Sequence, residues 1–304
     1  MNNNMTFGDC PFCSRGFIFY PESYESFREC PVCGGKFYVG EPTSNPIVSE
    51  RELVPDLGGR SFEADGFVVE NGVLVRYEGD KQFIEIPNDV LAIGKGAFRG
   101  NTRIKSVDIK SGVLYIGERA FEDCDGIRTL LLPSTLLTIA NNAFKGLRRL
   151  TSVNIPASLV ACGYATFQEC HNLKTLYFPM DMKYMGGSPF RYCRALQGAN
   201  IPNCVNDELD IWLTDVTSLE KLTIGANVRA FRCTWLGQLK SLEFVNPNGW
   251  VVDAYKEEDC KKIDAEELKN PKKTALLIYR LAKENKVLRR PDAKPSYDYH
   301  LKIE

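Results

Sequence analysis

Four cysteines near the start of the chain have the spacing of a metal site. They form two Cys-x-x-Cys pairs, Cys10 with Cys13 and Cys30 with Cys33, and 16 residues separate the pairs. Four thiolates arranged in this way suit tetrahedral coordination of one Zn²⁺ ion. A single Cys-x-x-Cys pair can instead serve as a redox-active dithiol, although two such pairs rarely do. The sequence therefore predicts one structural zinc ion held by these four thiolates.

The segment around these pairs resembles a zinc ribbon over residues 7–40. Both pairs have the form Cys-Pro-x-Cys, and Gly34 and Gly35 follow the second pair. The first pair departs from the pattern, because Ser14 and Arg15 stand where glycine is common. A module of this size has little apolar core, so zinc would supply most of its folding free energy.

A repeat of 23 residues dominates the rest of the chain. A fixed period of this length indicates one structural unit stacked on copies of itself, because a single unit cannot bury its own apolar face. The frame runs on to Leu213 after five phenylalanines at the same interval: Phe98, Phe121, Phe144, Phe167 and Phe190. The sequence therefore predicts a solenoid, an architecture that usually binds other molecules and seldom catalyses reactions.

Each unit contains a short strand and a turn. Apolar residues alternate with polar ones before a proline, as Val153 and Ile155 do before Pro156, and this indicates a strand with one buried face. Stacked units would align the strands in a parallel sheet and the phenylalanines in a ladder across the coil. The predicted fold is a mostly β solenoid of short parallel strands joined by turn or helical crossovers.

Two of the units carry a resemblance to a known family. Residues 116–133 (IGERAFEDCDGIRTLLLP) and 165–179 (ATFQECHNLKTLYFP) resemble the BspA-type leucine-rich repeat of bacteria, and residues 69–79 resemble the hairpin that opens such arrays. The resemblance extends over residues 66–245. It implies a curved, right-handed leucine-rich repeat solenoid used for protein–protein contact, often on bacterial cell surfaces.

The chain divides into four parts. Prolines and a glycine pair between residues 41 and 65 indicate a linker. The last repeats lose the phenylalanine, and Trp212 and Trp235 lie there, either as capping residues or as a local binding feature. The predicted parts are a zinc ribbon at 1–40, a linker at 41–65, a solenoid with a hairpin cap at 66–250, and a helical extension at 251–304.

The C-terminal extension has two helical segments. A short helix is predicted from Asp264 to Lys269, and a longer one from Lys272 to Leu288. Asn270 and Pro271 suit the N-cap and first position of the longer helix, and Arg289 and Arg290 would favour its C-terminal dipole. This helix either docks on the end of the solenoid or binds a partner or a membrane surface.

The other cysteines and the start of the chain indicate a cytoplasmic protein. Cys124, Cys170 and Cys193 share one repeat position with Leu147, which indicates buried apolar packing. Free thiols and zinc suit a reducing compartment. The start of the chain lacks the pattern of a signal peptide, and no run approaches a membrane span. The cytoplasmic prediction conflicts with the cell-surface habit of the resembling family.

The side chains give no pattern typical of an enzyme. His171 stands in a variable turn position, His300 lies in the tail, and no nucleophile–base constellation is visible. The net charge of −1 makes nucleic-acid binding an unfavoured function. The preferred function is a non-enzymatic protein–protein interaction scaffold with a structural zinc module. A zinc-ribbon nucleic-acid-associated regulator that uses the repeats to sense a partner is the alternative, and a redox protein or other enzyme is a third possibility.

The exposed face of the predicted sheet is the candidate binding surface for a protein partner. Alternation along each strand places one series of residues outward. Leu131 and Tyr177 are the preferred contacts, because aromatic and apolar side chains dominate interface energetics. An inert, solvated face is the alternative interpretation. The outward series is Asp108, Leu131, Asn154, Tyr177 and Asn200.

Overall fold

The computed structural model describes residues 59–205, 209, 212–236, 238–253 and 260–291, together with the backbone of four short strands between residues 6 and 39. These strands form two antiparallel hairpins that are offset by 20 residues along the chain. The four strands are β1 (Thr6–Asp9), β2 (Gly16–Phe19), β3 (Ser26–Glu29) and β4 (Lys36–Val39).

A three-stranded antiparallel cap opens the solenoid, in agreement with the hairpin expected at residues 69–79. It consists of β5 (Phe62–Ala64), β6 (Phe67–Glu70) and β7 (Val73–Tyr77). Two-residue turns join the strands, with φ of 52° and 83° at Asp65 and Gly66, and of 50° and 79° at Asn71 and Gly72. Asp-Gly and Asn-Gly suit tight hairpins because both central residues of the turn need positive φ.

Each coil after the cap carries two short strands. Residues 23 apart are partners, for example Ser106 with Thr129 and Tyr115 with Thr138. The strands are, in chain order, β8 (Phe83–Glu85), β9 (Ala92–Ile93), β10 (Ser106–Asp108), β11 (Tyr115–Ile116), β12 (Thr129–Leu131), β13 (Thr138–Ile139), β14 (Ser152–Val153), β15 (Ala161–Cys162), β16 (Thr175–Leu176) and β17 (Tyr184–Met185).

These strands form two parallel arrays. Strands β8, β10, β12 and β14 form one sheet, which we call the first sheet, and β16 stands in the next coil beside β14. Strands β9, β11, β13, β15 and β17 extend the cap as the second sheet. The repeat analysis predicted one strand per unit and missed the second sheet, because strands of two residues are too short to show an alternating pattern.

The predicted phenylalanine ladder fills the interior. Phe121 and Phe144 are fully buried, and their ring centroids lie 5.5 Å apart. Phe98 and Phe167 continue the stack on either side, at 4.8 Å and 5.1 Å. The stack begins in the cap, where Tyr77 lies 5.4 Å from Phe98. Tyr77 was missed because it stands two residues out of the 23-residue frame.

The C-terminal part departs from the repeat. The last three coils each contribute one strand, β18, β19 or β21, and these strands form one parallel sheet with β16. A separate antiparallel sheet, which the sequence did not predict, contains β20, β22, β23 and β24. The bounds are β18 (Gly198–Ile201), β19 (Lys221–Ile224), β20 (Ala230–Arg232), β21 (Ser241–Phe244), β22 (Val251–Val252), β23 (Lys261–Lys262), α1 (Ala265–Leu268), α2 (Pro271–Lys283) and β24 (Val287–Arg289).

The longer predicted helix is shorter than expected. Asn270 caps α2 as predicted, but the helix ends at Lys283 instead of Leu288. Asn285 has a φ of 52°, which breaks the helix and turns the chain into β24. Helix α2 packs against β21 and the 3₁₀ turn at Cys233–Leu236. It therefore docks on the end of the solenoid, one of the two outcomes expected from the sequence.

Leu213 occupies the phenylalanine position of the frame and is buried, and its neighbour Trp212 supplies an aromatic ring to the core. The Trp212 side chain is buried, and its ring meets that of Phe190 edge-on, with centroids 6.2 Å apart. This burial supports the capping interpretation of Trp212. The side chain of Trp235 lies outside the described residues, so its role stays a prediction.

Candidate interaction surface

Four outward residues in, or immediately after, the strands β10, β12, β14 and β16 form one column, which we call the outer column: Asp108, Leu131, Asn154 and Tyr177. Leu131 and Tyr177 are 53% and 49% exposed, although both are large and apolar. They stand two coils apart, which corresponds to about 10 Å at the usual strand spacing. Leu131 ends β12 and Tyr177 follows β16, and each stands directly after a buried leucine, Leu130 or Leu176.

The next coil makes room for the Tyr177 ring. A Cβ atom added at Gly198 would lie 2.3 Å from the hydroxyl oxygen of Tyr177. Ser106, Thr129, Ser152 and Thr175 hold the same repeat position in earlier coils, so glycine here is a local exception. The tyrosine ring therefore lies across the backbone of the following coil.

Asn200 does not belong to the exposed surface, contrary to expectation. It is 5% exposed, and its amide bonds the preceding coil. The Oδ1 atom accepts from the backbone N–H of Phe178, and the Nδ2 atom donates to the Phe178 carbonyl, both at 2.7 Å. This amide supplies hydrogen bonds just beyond the end of β16, where a two-residue strand offers few of its own.

The other two members of the column are polar. Asn154 is exposed, and Asp108 is half-buried beside Lys110. Lys110 donates to the Asp108 carboxylate and lies 3.6 Å from that of Glu85. The hydrogen bond to Asp108 is the main reason that the pKa of Lys110 is raised. The column thus runs from the paired Asp108 through Leu131 and Asn154 to Tyr177, so that its two apolar side chains flank a polar one.

A second exposed feature was missed by the sequence analysis. Phe83 opens the first sheet and is 71% exposed. It lines a groove of about 1010 Å³ between β8 and the cap, together with Phe62 and Phe67. Phe83 lies outside every apolar series of the repeat, and only this departure from the frame could have drawn attention to it.

The repeat cysteines are core residues, as expected. Cys124, Cys170 and Cys193 are fully buried. Their thiols donate to the carbonyls of Phe98, Phe144 and Phe167 in the preceding coil, at 2.9 Å, 3.3 Å and 3.1 Å. Burial raises the pKa of the Cys124 thiol to about 12, so this thiol stays neutral at ordinary pH and serves in packing and hydrogen bonding.

The predicted zinc ligands lie outside the described residues. Cys10 and Cys13 fall between β1 and β2, and Cys30 and Cys33 fall between β3 and β4. Among the residues that the structure does describe, no group of three or more His, Cys, Asp or Glu side chains could hold a metal ion. His171, half-buried in a corner turn, belongs to no such group.

The described residues include no helix that is long and apolar enough to cross a membrane.

The chain matches no curated protein sequence. Three solved leucine-rich repeat structures are similar to it. They come from T. pallidum (24% identity, 56% of this chain and 87% of that one, TM-score 0.47), Bacteroides ovatus (23%, 63% and 52%, 0.48), and Faecalibacterium prausnitzii, the last described as a cell surface protein (20%, 63% and 56%, 0.51).

The chain therefore spans little more than half the length of two of these proteins. The likeness to the Faecalibacterium structure supports the solenoid fold. The pattern described as "BspA type Leucine rich repeat region" matches six copies over residues 77–197 and 116–243, which together cover more than half of the 304 residues. The chain belongs to the BspA type leucine rich repeat family.

Proposed function

We propose that the solenoid is a non-enzymatic scaffold that binds a protein partner through the outer column of the first sheet. The observation that carries this proposal is the exposure of Leu131 and Tyr177 in one column, about 10 Å apart. About half of each side chain stays open to solvent, although the Tyr177 ring also covers Gly198 of the following coil. Family membership supports the proposal, because leucine-rich repeat proteins are generally interaction modules.

The geometry favours binding energetically. Both side chains project from backbone that the parallel ladders and the core already hold in place. Little conformational entropy would be lost on binding, since preorganised contacts lower the cost of association. Tyrosine is among the residues that concentrate binding energy at interfaces. Asn154, between the two side chains, and Asp108, at one end of the column, would supply polar contacts.

The test is a pull-down from native extract with quantitative mass spectrometry. The variant Leu131→Ala/Tyr177→Ala should lose the specific partner, because both anchors are removed without touching the core. The matched control is Leu276→Ala/Tyr279→Ala on α2, an exposed Leu and Tyr pair of similar exposure, 51% and 43%. The control should retain the partner. Loss in the control with retention in the first variant would move the surface to α2.

We propose further that Cys10, Cys13, Cys30 and Cys33 hold one structural Zn²⁺ ion. Each Cys-x-x-Cys pair falls in the six-residue connection between the two four-residue strands of a hairpin. The second hairpin repeats this arrangement 20 residues further along the chain. Two knuckles of this kind suit a Cys₄ site. Bound zinc would fix the two connections and supply no catalytic group, since four thiolates leave no open position.

Metal removal tests the zinc proposal. Elemental analysis should give one zinc per chain, and a chelator should expose the four thiols to alkylation while the circular dichroism of the solenoid changes little. Cys30→Ser should have the same effect without a chelator, and Cys204→Ser, a half-buried cysteine of the solenoid, should retain zinc. Zinc-free protein from reducing preparations would contradict the site, and a Cys10–Cys13 disulfide would indicate a redox module.

We also propose a reducing, cytoplasmic environment. Cys170 and Cys193 hold the same repeat position in neighbouring coils, their thiols interact, and they are not joined in a disulfide. A zinc thiolate site also needs reduced cysteines. Fractionation of native cells should place the chain with cytoplasmic markers. Recovery from the cell surface would contradict this part of the proposal and leave the interaction surface unaffected.

A further inference from the structure

Most solenoid cations that have no ion pair with a described carboxylate lie at one edge. Of the sixteen Lys and Arg residues between 76 and 197, nine form ion pairs with carboxylates and Arg191 stacks on the ring of Tyr192. The remaining six cations, Lys183 and five others, have no ion pair with a described carboxylate. The five lie together and are exposed, and we call them the basic edge: Arg103, Lys105, Arg128, Arg149 and Lys174.

The repeat frame aligns these cations. Lys105, Arg128 and Lys174 hold one position, immediately before the first outward residue of β10, β12 and β16. Backbone hydrogen bonds connect this position between coils, from Arg128 N–H to Lys105 C=O at 2.9 Å and from Lys174 N–H to Thr151 C=O at 3.2 Å. At about 4.8 Å per coil, the row extends over about 14 Å.

The basic edge runs alongside the outer column. Arg128 precedes Leu131 by three residues, and Lys174 precedes Tyr177 by three. Three residues of extended chain correspond to about 10 Å. Each apolar residue therefore has an exposed cation at the same offset along its own coil, which defines two parallel rows with different chemistry.

We propose that the partner recognised by the outer column is an acidic protein segment, whose carboxylates pair with the basic edge while its apolar side chains cover Leu131 and Tyr177. This inference rests on the proposed function and names its partner chemistry. A continuous polyanion fits less well, because Asp108 and Glu85 stand on the same face and the whole chain has a net charge of −1. Discrete carboxylates beside apolar groups suit both rows.

The test uses a fluorescent peptide in which glutamate alternates with leucine, titrated with the full-length protein. Arg128→Glu should weaken binding by about three- to ten-fold, since an exposed pair is lost and a repulsion gained. Lys105→Glu/Arg128→Glu/Lys174→Glu should weaken it by about thirty-fold or more, as separate effects multiply. The matched control is Lys183→Glu, which makes the same charge change at an exposed cation of the second sheet and should leave binding unchanged. Added salt should weaken wild-type binding.

Three results would overturn the inference. The first is that the triple variant binds the peptide as tightly as the wild type does. The second is that a peptide with glutamine in place of glutamate binds as tightly as the glutamate peptide. The third is that a sulfated polysaccharide or single-stranded DNA binds more tightly than the peptide and that this binding is lost in the triple variant. The proposed function is tested separately, because the Leu131→Ala/Tyr177→Ala pull-down depends on no charge. A triple variant that still captures the native partner would refute the acidic segment and leave the interaction surface intact.

Discussion

The coils from Phe98 to Phe190 and the C-terminal end after Leu209 bury their side chains by different means. From Phe98 to Phe167 the coils stack one aromatic ring on the next, with the same backbone bonds repeated every 23 residues. The C-terminal end packs Trp250 between Phe231 and Phe244, at 5.5 Å and 5.0 Å. It also buries an ion pair between Arg289 and Asp253, at 2.7 Å.

This difference follows from the number of neighbouring coils that each part of the solenoid has. An internal coil has an identical neighbour on each side, so one apolar frame satisfies every interior position. The last coil has no following copy, and its open side must be covered by different chemistry. Arg290 illustrates this, because its guanidinium lies 4.4 Å from the centroid of the Trp250 ring and donates to the carbonyl of Asn246 at 2.9 Å.

The largest effect should follow from breaking the aromatic stack at its centre. Phe121→Ala should lower the free energy of unfolding by about 3–5 kcal/mol, from lost burial and the cavity left between Phe98 and Phe144. Because each coil couples only to its neighbours, calorimetry should show the single melting transition split into two. A transition that neither shifts nor splits would contradict the stack.

The C-terminal end should respond as a local unit. Asp253→Asn should cost about 2–3 kcal/mol, because the buried Arg289 guanidinium keeps its charge and loses its carboxylate. Hydrogen exchange should rise in β20, β22 and β24, while the amides of the coils between Phe98 and Phe190 stay protected. Equal loss of protection in both regions would show that the end and the coils unfold as one unit.

A smaller effect should appear at alkaline pH within the coils. Burial raises the pKa of the Cys124 thiol to about 12 from its ordinary value near 9. The unfolded chain therefore loses this proton first, and the stability contributed by the neutral thiol is complete below about pH 9 and declines as the pH rises towards 12, by about 1.4 kcal/mol per unit.

Denaturant titrations across this pH range should show a shallower decline for Cys124→Ala than for the wild type. Leu147, which holds the same repeat position without a titrating group, provides the control substitution Leu147→Ala. That variant should be less stable at every pH, with the slope of the wild type. Identical slopes in all three proteins would contradict the assigned burial of the Cys124 thiol.

The coils could be predicted from sequence because one physical requirement recurs in a fixed frame. Phe121 and Phe144 are in contact as expected, Cys124 is in the core, and the hairpin before the first coil is present. The features that were missed are local. Asn200 was expected to point outward with its column. In the preceding coil β16 ends at Leu176, and the Asn200 amide bonds the backbone N–H and C=O of Phe178 just beyond it.

The C-terminal end could not be predicted in the same way. Arg289 and Arg290 were expected to favour the helix dipole, yet they lie in or beside β24 and bond Asp253 and the carbonyls of distant loops. These partners are 36 to 64 residues away along the chain, and no local pattern encodes them. The outer column could be predicted as a surface, whereas the cations that border it became visible only when ion pairing was known.

The most direct test of the interaction surface is site-specific photo-crosslinking in native cells. A photoreactive phenylalanine derivative would replace Tyr177 in one variant, Leu131 in a second, and Tyr279 on α2 in a third. Irradiation should give the same protein adduct from positions 177 and 131 and none from position 279, because the first two residues share the outer column. An adduct from position 279, with none from positions 131 and 177, would contradict the account.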